Sequence, residues 1–183
     1  MFRAFVGLEL PENIRAELTQ KQLLLPLPQR VPAELLHITL AFLGNISPDT
    51  AESVHENLLQ IRAALFPLRI AGLGMFGRDR PHLFWAGLDP SPPLEAMQRH
   101  VAHAGRMAGC TIPARKFLPH VTLGRFAPPP IEQIMRLERA VAEGGDFHTS
   151  DWLADELVLW DSRRTARGPY YHVLARYPFI GFP

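Results

Sequence analysis

The chain has 183 residues, 47% of them hydrophobic, and a formal net charge of +1. Such a length and apolar content suit one domain, residues 1–183, with a substantial core, while near-neutrality excludes a protein that holds a polyanion by bulk charge. No apolar run approaches the roughly 20 residues of a membrane span, the opening M-F-R-A-F-V-G-L-E-L lacks a signal-peptide layout, and the lone Cys110 excludes an intrachain disulfide and a cysteine-based zinc site. A cytoplasmic monomer with no metal, no cofactor and no membrane partner is the expectation.

Phe2 to Leu10 is apolar and β-prone and stops at Pro11, which suits the first position of a helix running to about Leu25. The L-P-L-P run from Leu25 to Pro28 ends that helix. A strand follows from about Leu35 to Leu43, closed by Gly44 and Asn45. Ser47 reads as an N-cap with Pro48 behind it, and Val54, Leu58, Ile61 and Leu65 recur at helical spacing. Leu68 to Met75 and His82 to Leu88 read as a hairpin about a turn containing Gly77, Asp79 and Pro81. A helix from about Pro93 to Ala108 puts Leu94, Met97, Val101 and Ala104 on one face, with Gly109 as its C′ residue. Next come a strand from about Pro119 to Phe126, a break at Pro128 to Pro130 and a helix from Ile131 to Ala142. The last two strands, Asp155 to Trp160 and Tyr170 to Tyr177, flank a turn carrying Arg163, Arg164, Arg167 and Gly168.

The order β-α-β-α-β-β-α-β-α-β-β holds the same unit twice. It predicts an α+β fold: two lobes of duplicated βαβ-type units, antiparallel sheets around a central cleft, and helices outside. A pseudo-two-fold relation would bring one strand of each copy to that cleft. Those two strands carry matching tetrapeptides, His37-Ile38-Thr39-Leu40 and His120-Val121-Thr122-Leu123. Residues two apart share a face of a strand, so each motif projects its His and Thr together while Ile38, Leu40, Val121 and Leu123 turn to the apolar side.

Imidazole titrates at about 6.5, so one ring of a facing pair can be neutral and the other charged near neutral pH. That supplies a base and an acid, and each threonine adds a hydroxyl donor for developing negative charge. The set fits phosphodiester cleavage without metal. No G-x-S-x-G elbow is present and neither motif holds an acidic residue, so a nucleophilic serine with its own base is not indicated.

The paired motifs, the F-L-G from Phe42 to Gly44, and R-K-F-L-P-H-V-T-L-G-R from Arg115 to Arg125 resemble the two-histidine phosphoesterase superfamily. Within it, the chain is most similar to the bacterial and archaeal RNA 2′,3′-cyclic phosphodiesterase group, also called 2′-5′ RNA ligases. An opening F-V-G-L-E-L-P, a central H-L-F-W-A-G-L and a closing L-V-L-W-D-S extend the resemblance over nearly the whole chain. It implies a bilobal α+β fold, no cofactor, and hydrolysis of a terminal 2′,3′-cyclic phosphate on RNA, or of a cyclic nucleotide, to a 2′-phosphate. By the same resemblance His37 and His120 match the catalytic histidines, and Thr39 and Thr122 the phosphate-holding threonines. His120 would then take a proton from water while His37 protonates the departing 3′-oxygen, an order that the near-symmetry of the motifs leaves open. Arg125 matches a basic position that can bind phosphate, and Phe42 can stack on a base. Leu118 departs from the Arg or His often found there.

Plainer readings stand beside these. A single strand histidine is more often a hydrogen-bonded core residue than a catalyst, but the repetition reverses those odds for His37 and His120. Phe42 fits the core as well as a ligand, and Arg125 fits a solvated surface as well as a phosphate. Trp85, Trp152 and Trp160 read as core, and His100 and His103 as a solvated helix face. The loop arginines can reach RNA or solvate a turn. Two other functions compete: a non-catalytic nucleotide- or RNA-binding module, and 2′-5′ RNA ligation at the same site. Both histidines and both threonines are intact, which argues against the first, and the absence of K-x-D-G disfavours ATP-dependent ligation.

Overall fold

The structure, a computed structural model, describes residues 1–77, 80–166 and 168–180. Asp79 of the expected hairpin turn and Arg167 of the arginine turn lie outside the described residues. Thirteen elements follow in order: β1 (Phe2–Glu9), α1 (Glu12–Leu24), β2 (His37–Ile46), α2 (Pro48–Leu59), β3 (Phe66–Leu68), β4 (Ile70–Phe76), β5 (Leu83–Leu88), α3 (Pro92–Met107), β6 (His120–Arg125), α4 (Ile131–Glu143), β7 (Trp152–Ala154), β8 (Glu156–Thr165) and β9 (Gly168–Pro178). A 3₁₀ turn, Ala33–Leu35, leads into β2. Seven strands form one antiparallel sheet in the order β4-β5-β6-β2-β1-β8-β9, and β3 pairs with β7 in a small second sheet.

The expected elements are present with local differences. Ser47 caps α2, its Oγ accepting from the Thr50 amide at 3.1 Å, but the helix stops at Leu59, so Leu65 lies beyond it and is 40% exposed. Pro67, just downstream, cannot continue a helix and holds its predecessor extended. The strand expected from Leu68 is two strands broken at Arg69. Arg163 and Arg164 lie on β8 rather than in a turn, because the β8–β9 ladder continues to Thr165↔Gly168. There Gly168 takes φ +118°, a value that side-chain-bearing residues rarely adopt.

The element order shows how the halves are joined. β1-α1-β2-α2-β3-β4 recurs as β5-α3-β6-α4-β7-β8, and each half gives its last strand to the other. β4 pairs with β5 and β8 pairs with β1. The motif strands β2 and β6 are neighbours at the centre of the sheet, joined by the single registered pair Ile38↔Val121. Antiparallel register then sets His37 level with Thr122 and Thr39 level with His120, related by a local two-fold through that pair.

Ile38, Leu40, Val121 and Leu123 are at most 4% exposed and join one core cluster with Leu18 of α1 and Leu58 of α2. Leu94, Met97, Val101 and Ala104, the predicted face of α3, are also in that cluster, as is Leu137 of α4. All four helices therefore cover the sheet face opposite the histidines. Each such large apolar side chain contributes about 1.5–3 kcal/mol when fully buried. The other face carries a small separate cluster of Phe5, Val158 and Trp160, with Tyr171 and Val173 packed against it. Among the described residues, no helix is long and apolar enough to cross a membrane.

Candidate active site

Each histidine is fixed by the backbone that precedes it. His37 Nδ1 lies 2.7 Å from the Leu35 carbonyl oxygen, and His120 Nδ1 lies 2.8 Å from that of Leu118. A carbonyl only accepts, so Nδ1 donates in both rings and the neutral imidazole presents its lone pair at Nε2. The two motifs thus hold the same tautomer by the same device, a carbonyl two residues upstream. They differ at Nε2. His37 Nε2 lies 2.9 Å from Thr39 Oγ1, which donates to the neutral ring; among the described residues no such bond joins Thr122 to His120.

Aromatic rings enclose both imidazoles. His37 meets Phe5 at 5.0 Å between centroids, Trp160 at 5.7 Å and Tyr171, edge-on, at 5.2 Å. His120 meets Phe76 edge-on at 5.2 Å and Trp85 at 6.2 Å. Burial pushes His37 down to about 4, overriding the Leu35 carbonyl, and the positive charges of His120 and Arg125 act in the same direction. Burial also lowers His120, aided by Arg125 and Arg115. Tyr171 is raised by burial and stays a neutral phenol near neutral pH.

Among the described residues, the charges that act on the two rings are cationic. Glu9 stands opposite His37 in the β1–β2 register, but Arg176 engages it at 2.8 Å and also pairs with Glu156. A bound anion is therefore the natural partner for a protonated imidazole here. The donor set suits a phosphate, with two imidazoles, two hydroxyls and Arg125 available on one face.

His37, Thr39, His120 and Thr122 are brought together as read from the motifs. Arg125 ends β6, exposed, and its charge reaches both histidines and Tyr171. Phe42 is 56% exposed and pairs in register with Phe5, its ring 6.1 Å away, so it belongs to the histidine face rather than the core. Trp152 and Trp160 are buried as expected, although Trp160 packs against His37. Trp85 belongs to neither apolar cluster, because its strand position opposite Thr122 turns it to the polar face. His100 and His103 line a groove of about 410 Å³ with Asn57, Gln60 and Arg62, on the helical side of the sheet. No group of three potential metal ligands occurs among the described residues.

Phe5, Phe76 and Tyr171 were not legible as site residues. Phe5 shares the alternation of an ordinary core strand, and the contacts of Tyr171 depend on a strand paired far along the chain.

The profile of the 2′-5′ RNA ligase superfamily matches residues 10–166. An RNA 2′,3′-cyclic phosphodiesterase of Geobacillus stearothermophilus is 32% identical over 87% of this chain, which spans only 50% of that relative's length. One of Aeropyrum pernix is 32% identical over 79% of the chain and 82% of the relative. One of Aquifex aeolicus is 31% identical over 96% of each. Among solved structures, one described as a phosphoesterase superposes with a TM-score of 0.82 at 24% identity, covering 97% of this chain and 98% of the other. Escherichia coli LigT complexed with 3′-AMP gives 0.76 at 23%, covering 97% of each. At those identities the structures show a shared fold.

Proposed function

The chain belongs to the 2′-5′ RNA ligase superfamily, and from that premise and the geometry of the site we propose that it is an RNA 2′,3′-cyclic phosphodiesterase. It opens a terminal 2′,3′-cyclic phosphate to leave a 2′-phosphate. The observation that carries this reading is the pair of imidazoles in one tautomer, set about a local two-fold, with cationic charges acting on both.

The cyclic phosphate lies between the two Nε2 atoms. Water attacks phosphorus as the bond to the 3′-oxygen breaks. The water proton goes to His120 Nε2, whose lone pair no threonine occupies, and the 3′-oxygen takes a proton from His37 Nε2. One water is consumed, and the two histidines exchange protonation states. The substrate's negative charge favours the charged form of both rings, and turnover proceeds from the minor microstate in which His37, the harder ring to charge, holds the proton and His120 does not. Once protonated, Nε2 no longer accepts from Thr39, so that hydroxyl turns to a phosphoryl oxygen, as Thr122 does from the other strand. Arg125 neutralises the phosphate, and Phe42 stacks on a base.

The test is incubation with 2′,3′-cyclic nucleotides and a short RNA ending in cyclic phosphate, with chelator present, followed by phosphorus NMR. A 2′-phosphate formed at an undiminished rate in chelator is expected. A 3′-phosphate would place the 2′-oxygen, not the 3′-oxygen, beside His37. Loss of turnover that stoichiometric zinc or manganese restores would replace acid-base catalysis with a metal mechanism.

A further inference from the structure

Phe42 and Arg125 occupy the same place after their motif histidines, and strict alternation would put neither on the histidine face. Counting in twos from His37 and Thr39, or from His120 and Thr122, passes over both. They reach that face because each motif strand slips by one residue. In the β1–β2 register Val6 pairs with Ala41 and Gly7 with Thr39, which leaves Leu40 unpaired. In the β5–β6 register Phe84 pairs with Gly124 and Trp85 with Thr122, which leaves Leu123 unpaired. Each motif thus ends in a β-bulge, and a bulge re-aims the side chains that follow it. Leu40 and Ala41 both enter the core cluster, and Phe42 then turns to Phe5. Arg125 pairs with Leu83 and Leu83 with Phe76, whose ring meets His120, so Arg125 shares their face.

The carbonyl of each bulged residue is held by a glutamine from a helix of the other half. Gln22 of α1 donates from Nε2 to the Leu123 carbonyl oxygen at 2.8 Å and to that of Val31 at 2.9 Å, and the Val31 amide donates to Leu123 at 2.9 Å. Gln98 of α3 donates from Nε2 to the Leu40 carbonyl oxygen at 3.4 Å. The relation is reciprocal, since α1 and β2 belong to the first half, α3 and β6 to the second. Gln22 is 2% exposed, on a helix whose other buried residues are Ile14 and Leu18. A buried amide costs free energy unless it is bonded, and an apolar side chain would serve packing alone. Both Nε2 protons of Gln22 go instead to the bulge and the segment beside it.

We propose that Gln22 and Gln98 are positioning residues: they hold the Leu123 and Leu40 bulges, and through them keep Arg125 and Phe42 on the histidine face. β2 and β6 are joined at Ile38↔Val121, and both bulges lie past that joint, where the glutamines reach them. Each lobe thereby sets the side chain that the other lobe presents. The orientation of Arg125 follows from the register; its contact with a phosphate rests on the proposed function.

The test uses Gln22→Met and Gln98→Met, which keep side-chain length and lose the donors, with Arg125→Gln as reference and the Gln22→Met, Arg125→Gln double variant. Histidine NMR titrations and the binding of inorganic phosphate are measured on each, and neither needs turnover. Arg125 acts on both histidines, so Arg125→Gln raises both titrations. Gln22→Met moves both in the same direction and weakens phosphate binding about tenfold, as Arg125→Gln does. In the double variant Gln22→Met adds nothing to Arg125→Gln, whereas a merely structural loss adds in both backgrounds. Gln98→Met leaves the titrations in place, because Phe42 is uncharged, and loses the nuclear Overhauser contact between the Phe42 and Phe5 rings. A folded Gln22→Met with unchanged titrations, a shift that persists in the Arg125→Gln background, or a retained Phe42 to Phe5 contact in Gln98→Met overturns the proposal. If circular dichroism shows that Gln22→Met does not fold, the ring contact in Gln98→Met decides. A wild type that binds no phosphate or hydrolyses no cyclic phosphate counts against the proposed function instead, and the titrations still judge the positioning.

Discussion

The two lobes carry the same motif in different surroundings. His37 is enclosed by three aromatic rings and accepts from Thr39, and burial takes it to about 4; His120 has two rings, no threonine on Nε2 and a smaller depression. The source of the difference is β9. The His37 lobe has four strands, β2-β1-β8-β9, and the His120 lobe three, β6-β5-β4. The extra strand brings Tyr171 edge-on to His37 and completes its enclosure. Duplication alone would give two equal imidazoles, and an unmatched strand makes one of them harder to charge.

The largest effects come from removing either ring. His37→Ala and His120→Ala are each expected to lower kcat by about a hundredfold or more, with folding retained, because each removes one proton-transfer partner. Near-normal turnover of cyclic phosphate in either variant, measured by product release, would end the acid-base assignment.

The threonines come next and break the symmetry more finely. Thr39→Ala and Thr122→Ala should each lower kcat by about tenfold, as each removes one donor to a phosphoryl oxygen. The hydroxyls do not titrate, so both variants keep a bell-shaped pH profile. Thr39→Ala alone should also raise the His37 titration, since a bond to the neutral ring is lost. Histidine NMR on both variants checks this, and equal shifts would show that the lobes are equivalent.

The wild-type pH profile sharpens the comparison without mutation. Both imidazoles are depressed in the free protein, so the bell for kcat/KM should lie below about 6.5 on both limbs. The bell for kcat should move to higher pH, because the bound anion favours the charged forms. Both limbs belong to the coupled pair rather than to one ring. A kcat/KM bell centred above 7 would contradict the burial of His37.

The smallest expected effect is on stability. With His37 at about 4 when folded and about 6.5 when unfolded, the unfolded chain takes the proton first as pH falls. Stability is therefore fully present above about 6.5 and declines towards 4, by an upper limit of roughly 3 kcal/mol. His37→Gln removes the titrating group and should flatten that decline in urea titrations at pH 7, 5.5 and 4.5. An unchanged slope would show that the ring is hydrated rather than enclosed.

Much of this was legible in the residues. His-x-Thr with alternating Ile38, Leu40, Val121 and Leu123 specified two strands with one polar face, since period two leaves no other placement. The spacing of Leu94, Met97, Val101 and Ala104 specified the buried face of α3 for the same kind of reason. The short strands β3 and β7 were not legible, because three residues, one of them Pro67 in β3, carry no period. Nor was the place of Trp85, which reads as core but stands opposite Thr122 with its ring beside His120.

The sequence by itself determined which residues share a face, because side-chain direction along a strand or helix is a local property of the backbone. It therefore contained the two His-Thr pairs. Which strands lie side by side is decided by contacts between residues far apart in the chain, such as Gly7 with Val158, and no local pattern encodes them. The exchange of β4 and β8 between halves, the unmatched β9 and the resulting inequality of His37 and His120 belong to the tertiary structure alone. A ring's proton affinity follows from what surrounds it, and only the folded chain brings Phe5, Trp160 and Tyr171 around His37.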